Sequence, residues 1–133
     1  MSYGHVLRRG FGALALLLLL AQPADARQDM TAGEIKSLLD NPPAGLILLD
    51  VRTPGEFASG HIKGAVNMDA LEPDFLQKAE QLPPDAPLVV YCRSGNRSAR
   101  VIERMEKAGL KNEVYHLAHG INDWNAAGLP LTR

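Results

Sequence analysis

Cys92 is the only cysteine in the 133 residues, and its neighbours are not those of an inert thiol. It directly follows the apolar run Leu88-Val89-Val90-Tyr91. The loop Arg93-Ser94-Gly95-Asn96-Arg97 then leads into a helical pattern that opens at Ser98. Such a loop, between a strand end and a helix start, can turn successive backbone N–H groups inward as an anion-binding nest. The helix N-terminus adds roughly half a positive charge. Arg93 and Arg97 add full charges, and Gly95 permits a bend that a larger residue resists. The anion favoured there is the thiolate of Cys92 itself. A free thiol has a pKa of about 8.5, and helix N-termini with cationic neighbours lower it by several units. The loop therefore predicts a cysteine that is nucleophilic at neutral pH without a histidine base. The alternative is a buried structural cysteine beside a solvated arginine pair. It has the apolar strand in its favour and the charged, glycine-containing loop against it.

The elements around this loop alternate. Thr31-Ala32-Gly33-Glu34 is a capping box, with Ile35, Leu38 and Leu39 as the apolar stripe behind it. Asn41-Pro42-Pro43 stops that helix. Leu46-Ile47-Leu48-Leu49 is a continuous apolar run that predicts a strand buried on both faces. Thr53-Pro54-Gly55-Glu56 is a second capping box with proline at the first helical position, opening a helix that ends near Gly60. Ala65-Val66-Asn67 predicts a short strand, and Pro73 to Leu82 a helix. Leu88-Val89-Val90-Tyr91 is the strand before Cys92. Ser98 to Ala108 predicts a helix with Val101, Ile102 and Met105 inward and Gly109 at its C-terminal end. Val114 to Leu117 predicts another strand, and Ile121 to Ala127 a closing helix. Strands separated by helices imply an α/β domain: a central, mostly parallel sheet with helices on both faces. In such sheets ligands bind where strands end and helices begin, which is where Cys92 lies.

Three segments resemble the rhodanese family, and a single-domain rhodanese of the periplasmic kind in particular. The first runs Leu49-Asp50-Val51-Arg52, Glu56-Phe57, Gly60-His61-Ile62, Gly64-Ala65-Val66-Asn67. The second is Cys92-Arg93-Ser94-Gly95-Asn96-Arg97-Ser98. The third is Gly120, Trp124 and Gly128-Leu129-Pro130. Their order and spacing, over about residues 31–131, are more specific than any one piece. The resemblance implies a small rhodanese-like domain and a sulfurtransferase. Its thiolate takes the outer sulfur of thiosulfate or a similar small anionic donor, sulfite leaves, and a Cys92 persulfide passes the sulfur to a thiol or cyanide acceptor. It implies Cys92 as nucleophile, a cradle of backbone groups from Arg93, Ser94, Gly95, Asn96 and Arg97, and Arg93 and Arg97 side chains orienting the donor. No metal or organic cofactor is implied. The same residues serve a second reading: a persulfide carrier that moves sulfur between protein partners with little turnover on small donors.

Cysteine-dependent phosphatases, including those that share this fold, place their loop arginine one residue further from the cysteine. Here that position is Ser98, so phosphate hydrolysis and arsenate reduction are disfavoured. The chain departs from the family at His119-Gly120, where two glycines are common. The departure bears on the turn before the last helix, and His119 is expected at the surface.

The remaining polar residues have plainer readings. Asp50 and Arg52 are expected to support structure, Glu56 to cap its helix, and His61 to be a hydrogen-bonded structural histidine. Trp124 reads as a core anchor, and Glu103, Arg104, Glu106 and Lys107 as a solvated helix face. The four histidines show no metal-ligand spacing.

Composition bounds the rest. A formal charge of −1 argues against a nucleic-acid partner held through phosphates, and against a coat for an anionic membrane. The N-terminus carries a leader pattern. Arg8 and Arg9 precede an uncharged apolar run from Phe11 to Ala21, followed by Pro23 and the small-residue pattern Ala24-Asp25-Ala26. This predicts a secretory signal peptide over residues 1–26, cleaved after Ala26, and a rhodanese-like domain over residues 27–133. The run is shorter than the roughly 20 residues that cross a bilayer, so no stable anchor is expected after cleavage. An exported, periplasmic location follows. A lone thiol there forms no internal disulfide, so by count alone it is either a buried small hydrophobe or kept for its reactivity.

Overall fold

The computed structural model describes residues 27–133; the predicted leader, residues 1–26, lies outside them. Five strands and five helices alternate: β1 (Gln28–Met30), α1 (Ala32–Asp40), β2 (Ile47–Asp50), α2 (Pro54–Ser59), β3 (Val66–Asn67), α3 (Phe75–Glu80), β4 (Leu88–Tyr91), α4 (Asn96–Lys107), β5 (Val114–Leu117) and α5 (Gly120–Ala126). The strands form one sheet in the order β1-β5-β4-β2-β3, and every pairing is parallel. β4 is central, flanked by β2 and β5. All four of its residues are fully buried, as its unbroken apolar run demands.

The sheet separates two apolar layers. Leu49, Val51, Leu88 and Val90 pack with Phe75, Val101, Ile102 and Met105 from α3 and α4. Leu48, Val89, Tyr91 and Leu117 pack with Ala32, Ile35, Ile121 and Trp124 from α1 and α5. Alternate residues of one strand feed opposite faces, so helices are needed on both.

Local chemistry sets most element starts. Thr31 and Thr53 each close a reciprocal capping box with Glu34 and Glu56, and Pro54 sits in the first turn of α2. α3 is shorter than its apolar pattern suggests, because Pro73 and Asp74 are spent in the turn before it, and Asp74 makes no side-chain cap. α4 starts at Asn96 rather than Ser98. Gly95 is its N-cap in the left-handed region, at φ 104°, so the turn is made by a glycine backbone and not by a serine side chain.

Asp50 and Arg52 are buried together at the end of β2. The Arg52 guanidinium donates to both Asp50 carboxylate oxygens at 2.7–3.1 Å and to the Gly60 carbonyl at 2.7 Å. The Tyr91 hydroxyl donates to Asp50 Oδ2 at 2.7 Å and accepts from the Ile62 N–H at 3.1 Å. These polar atoms are spent on one another and on the backbone, which ties β2, α2 and β4 into one frame beneath the Cys92 loop.

Candidate active site

Cys92 follows the last residue of β4, and its side chain is 1% exposed. Two groups from the start of α4 meet its sulfur. The Gly95 N–H donates to Sγ at 3.1 Å, and Ser98 Oγ lies 3.2 Å from Sγ. Burial pushes the Cys92 thiol up. The Ser98 hydroxyl and the N–H groups of Ser98, Gly95 and Ser94 outweigh that burial and hold the thiol below its ordinary value. Hydrogen bonds to the charged form favour it, so the loop stabilises a thiolate.

The loop has this shape because its turn admits no Cβ. At Gly95 a Cβ would stand 1.9 Å from the Ala118 carbonyl oxygen. The loop is also held from below: the Ile121 N–H donates to the Cys92 carbonyl at 2.9 Å and the Asn122 N–H to the Arg93 carbonyl at 3.1 Å. Both donors belong to the first turn of α5, where backbone N–H groups have no partner inside the helix. Gly120, at φ 66°, brings that turn against the loop. His119 has φ −110° and is exposed. The departure at His119 is harmless because only the second position of the pair needs left-handed backbone.

The other loop residues divide. Arg93, Ser94 and Asn96 are exposed. Arg93 lines a polar cavity of about 400 Å³ together with Arg52, Glu56, Gly60, Asn122 and Asn125. Arg97 turns instead toward α2 and donates through Nη1 and Nη2 to Glu56 Oε1 and Oε2 at 2.7 and 2.8 Å. Glu56 thus has two tasks, the cap of α2 and the orientation of Arg97, of which its capping box announces only the first. His61 accepts the plain reading: Nδ1 meets the Phe57 carbonyl at 2.9 Å, and the ring stacks on Phe57. Trp124 is buried and donates to the Pro130 carbonyl at 2.9 Å.

The Glu56–Arg97 pair has a pH signature. The Arg97 guanidinium holds the Glu56 carboxyl at about 2, against an ordinary 4.5. A carboxylate depressed in the folded state contributes stability that is present above its unfolded value and lost as pH falls through the folded one. The pair is partly exposed, with side-chain exposures of 26% and 30%, so about 1 kcal/mol is expected after screening. Urea unfolding of wild type and Glu56→Gln, measured between about pH 4.5 and about pH 2, should show the excess stability of wild type shrinking steadily toward the acid end. A constant gap across that interval would mean the pair contributes through packing and not charge.

Behind the sulfur stand Ser98 and two residues that sequence reading missed, His116 and Asp29. Ser98 is fully buried, and beyond it His116 is 2% exposed. Ser98 Oγ and His116 Nε2 are 2.6 Å apart, and His116 Nδ1 is 2.9 Å from Asp29 Oδ1. Asp29 stands beside His116 because β1 and β5 pair in that register. The one legible hint in the sequence was a polar ring inside the otherwise apolar strand Val114–Leu117.

The Rhodanese-like domain family matches residues 31–127. The uncharacterized protein slr1261 of Synechocystis is 37% identical over 90 residues, 66% of this chain; the chain spans about half of that protein, 48%. Thiosulfate sulfurtransferase GlpE of Stutzerimonas stutzeri is 37% identical over 82 residues, 61% of this chain and 72% of that one. Among solved structures, a thiosulfate sulfurtransferase from Pseudomonas aeruginosa superposes with a TM-score of 0.69 at 29% identity, covering 80% of this chain and 20% of that one. Since the family match runs from before α1 through α5 and encloses the cysteine loop, this chain belongs to the rhodanese-like domain family.

Proposed function

We propose that this protein is a sulfurtransferase in which Cys92 carries sulfane sulfur between a small anionic donor, thiosulfate or a close analogue, and a thiol or cyanide acceptor. The observation that carries the reading is the buried Cys92 sulfur, held below its ordinary pKa by the Ser98 hydroxyl and the N–H groups of the loop. A thiolate so placed attacks the outer sulfur of thiosulfate. The new S–S bond forms as the bond to the sulfite sulfur breaks, and sulfite leaves with the electron pair. The acceptor then attacks the outer sulfur of the persulfide, and the Cys92 thiolate leaves. The loop N–H groups stabilise the anionic sulfur in both steps. The polar cavity that Arg93 lines borders the loop, and Cys92 itself is not among its lining residues. Membership in the rhodanese-like family and the likeness to GlpE support the same chemistry. The leader pattern of residues 1–26 supports an exported, periplasmic setting for this activity.

The test is thiocyanate formation from thiosulfate and cyanide by freshly reduced protein, with intact mass read after thiosulfate alone. Turnover together with a species one sulfur atom heavier supports the enzyme. A stable persulfide without turnover would reassign the chain to sulfur carriage between proteins. Absence of both turnover and persulfide would refute the reading.

A further inference from the structure

We propose that Asp29, His116 and Ser98 form a proton relay in which His116, acting through the Ser98 hydroxyl, takes the proton of Cys92. The inference rests on the reading of Cys92 as the nucleophile and extends it to residues outside the loop.

The hydrogen bonds dictate the direction. Asp29 Oδ1 can only accept, so the His116 Nδ1 facing it at 2.9 Å carries a hydrogen. In a neutral imidazole Nε2 is then the bare acceptor. Ser98 Oγ, 2.6 Å away, must donate to it. With its hydrogen committed to His116, Ser98 meets the Cys92 sulfur at 3.2 Å with a lone pair, and the thiol donates to Ser98. The Gly95 carbonyl, 3.1 Å from Ser98 Oγ, is a second acceptor for that hydrogen, and His116 Nε2 at 2.6 Å is the nearer one.

From this arrangement ionisation needs no movement of heavy atoms. The S–H bond of Cys92 breaks as its proton joins Ser98, and the Ser98 hydrogen passes to His116 Nε2. The product is a thiolate that accepts from Ser98, an imidazolium that donates to Ser98, and Asp29 as counter-charge. One proton has moved from sulfur to nitrogen, and no other reactant is consumed. The same Ser98 hydroxyl then faces the thiolate when it departs from the persulfide, where a better-stabilised leaving group leaves faster.

The charged groups facing the relay are known. Asp29 favours the imidazolium, Arg27 and His119 oppose it, and Arg97 faces the thiolate. Burial holds His116 below its ordinary value, so the ring is neutral at neutral pH and available as a base. Ser98 and His116 are shut from solvent, which leaves Asp29, at 53% side-chain exposure, as the end of the chain open to water.

The test is the pH dependence of Cys92 alkylation, followed by intact mass, in wild type, Ser98→Ala, His116→Gln, the double variant and Asp29→Asn. His116→Gln leaves an amide near the Nε2 position and removes the basicity. Ser98→Ala and His116→Gln should each raise the midpoint by about one pH unit, a tenfold loss of reactive thiolate on the lower limb. The double variant should show no further rise, because the two residues act in series. Asp29→Asn, at a position with 53% side-chain exposure, should shift the midpoint in the same direction by less. Additive shifts in the double variant, or wild-type midpoints in folded His116→Gln and in Asp29→Asn, overturn the relay and leave Ser98 as a local donor only. Alkylation needs no sulfur donor. A protein that shifts as expected but makes no thiocyanate refutes the sulfurtransferase reading alone, and one that turns over with unshifted midpoints refutes the relay alone.

Discussion

Cys92→Ser should abolish thiocyanate formation, by more than about a thousandfold, and leave a folded protein. The loss is chemical. A serine oxygen in this loop stays protonated at neutral pH and cannot form the S–S bond that stores the sulfur, and the chain has no other cysteine to substitute. The fold should tolerate the change, since the hydroxyl meets the same partners, the Gly95 N–H and Ser98 Oγ. A cost within about 1 kcal/mol is expected from the smaller, more polar atom in a buried place. Thiocyanate assays and urea unfolding on the same preparation separate the two effects. Residual turnover above a hundredth of wild type would show that sulfur passes by a route other than Cys92.

The second large effect lies away from the reacting atom. Gly120→Ala should remove most of the activity and destabilise the domain by about 3 kcal/mol. Alanine at φ 66° carries the left-handed penalty of roughly 1–2 kcal/mol. Its Cβ would also stand 2.3 Å from the Arg93 carbonyl oxygen and 2.6 Å from that of Cys92. These atoms are backbone, so no rotamer change relieves the clash. Either α5 withdraws or the Cys92 loop shifts. Both break the bonds from the Ile121 and Asn122 N–H groups that hold the loop, and donors aimed at the sulfur lose their aim. Gly128→Ala is the control. Its φ is 71°, but nothing lies within 4 Å of the added Cβ, so it should cost only the same left-handed penalty of roughly 1–2 kcal/mol and keep full turnover. Equal effects at both glycines, measured by urea midpoint and thiocyanate rate, would show that α5 does not brace the loop.

The two glycines also mark where sequence reading stops. Nothing local separates Gly120 from Gly128. Both precede or end a helix, and both take left-handed backbone; only the approach of another segment makes one indispensable. The same holds for β1. Gln28-Asp29-Met30 has no apolar run or alternation, and it is a strand because β5 offers it an edge to pair with. Nothing in its own composition predicts it. The arginines are a third case. Arg93 and Arg97 are equivalent by charge and position in the loop. One lines the open cavity and the other is clasped by Glu56 from α2, a partner 41 positions away in the chain.

What the sequence determined by itself is what short-range physics governs. Continuous apolar runs specified β2 and β4, because a strand buried on both faces has no polar positions to alternate with. Two capping boxes specified the starts of α1 and α2, because their hydrogen bonds close within four residues. A cysteine between a buried strand and a loop holding glycine and two arginines specified where the chemistry would sit. Only the tertiary structure decided which groups touch the sulfur. Ser98 reaches it because α4 starts at Asn96 and turns that face inward, and His116 and Asp29 lie behind Ser98 because parallel pairing sets β1, β5 and β4 side by side. These contacts depend on strand order and register, which come from packing the whole chain.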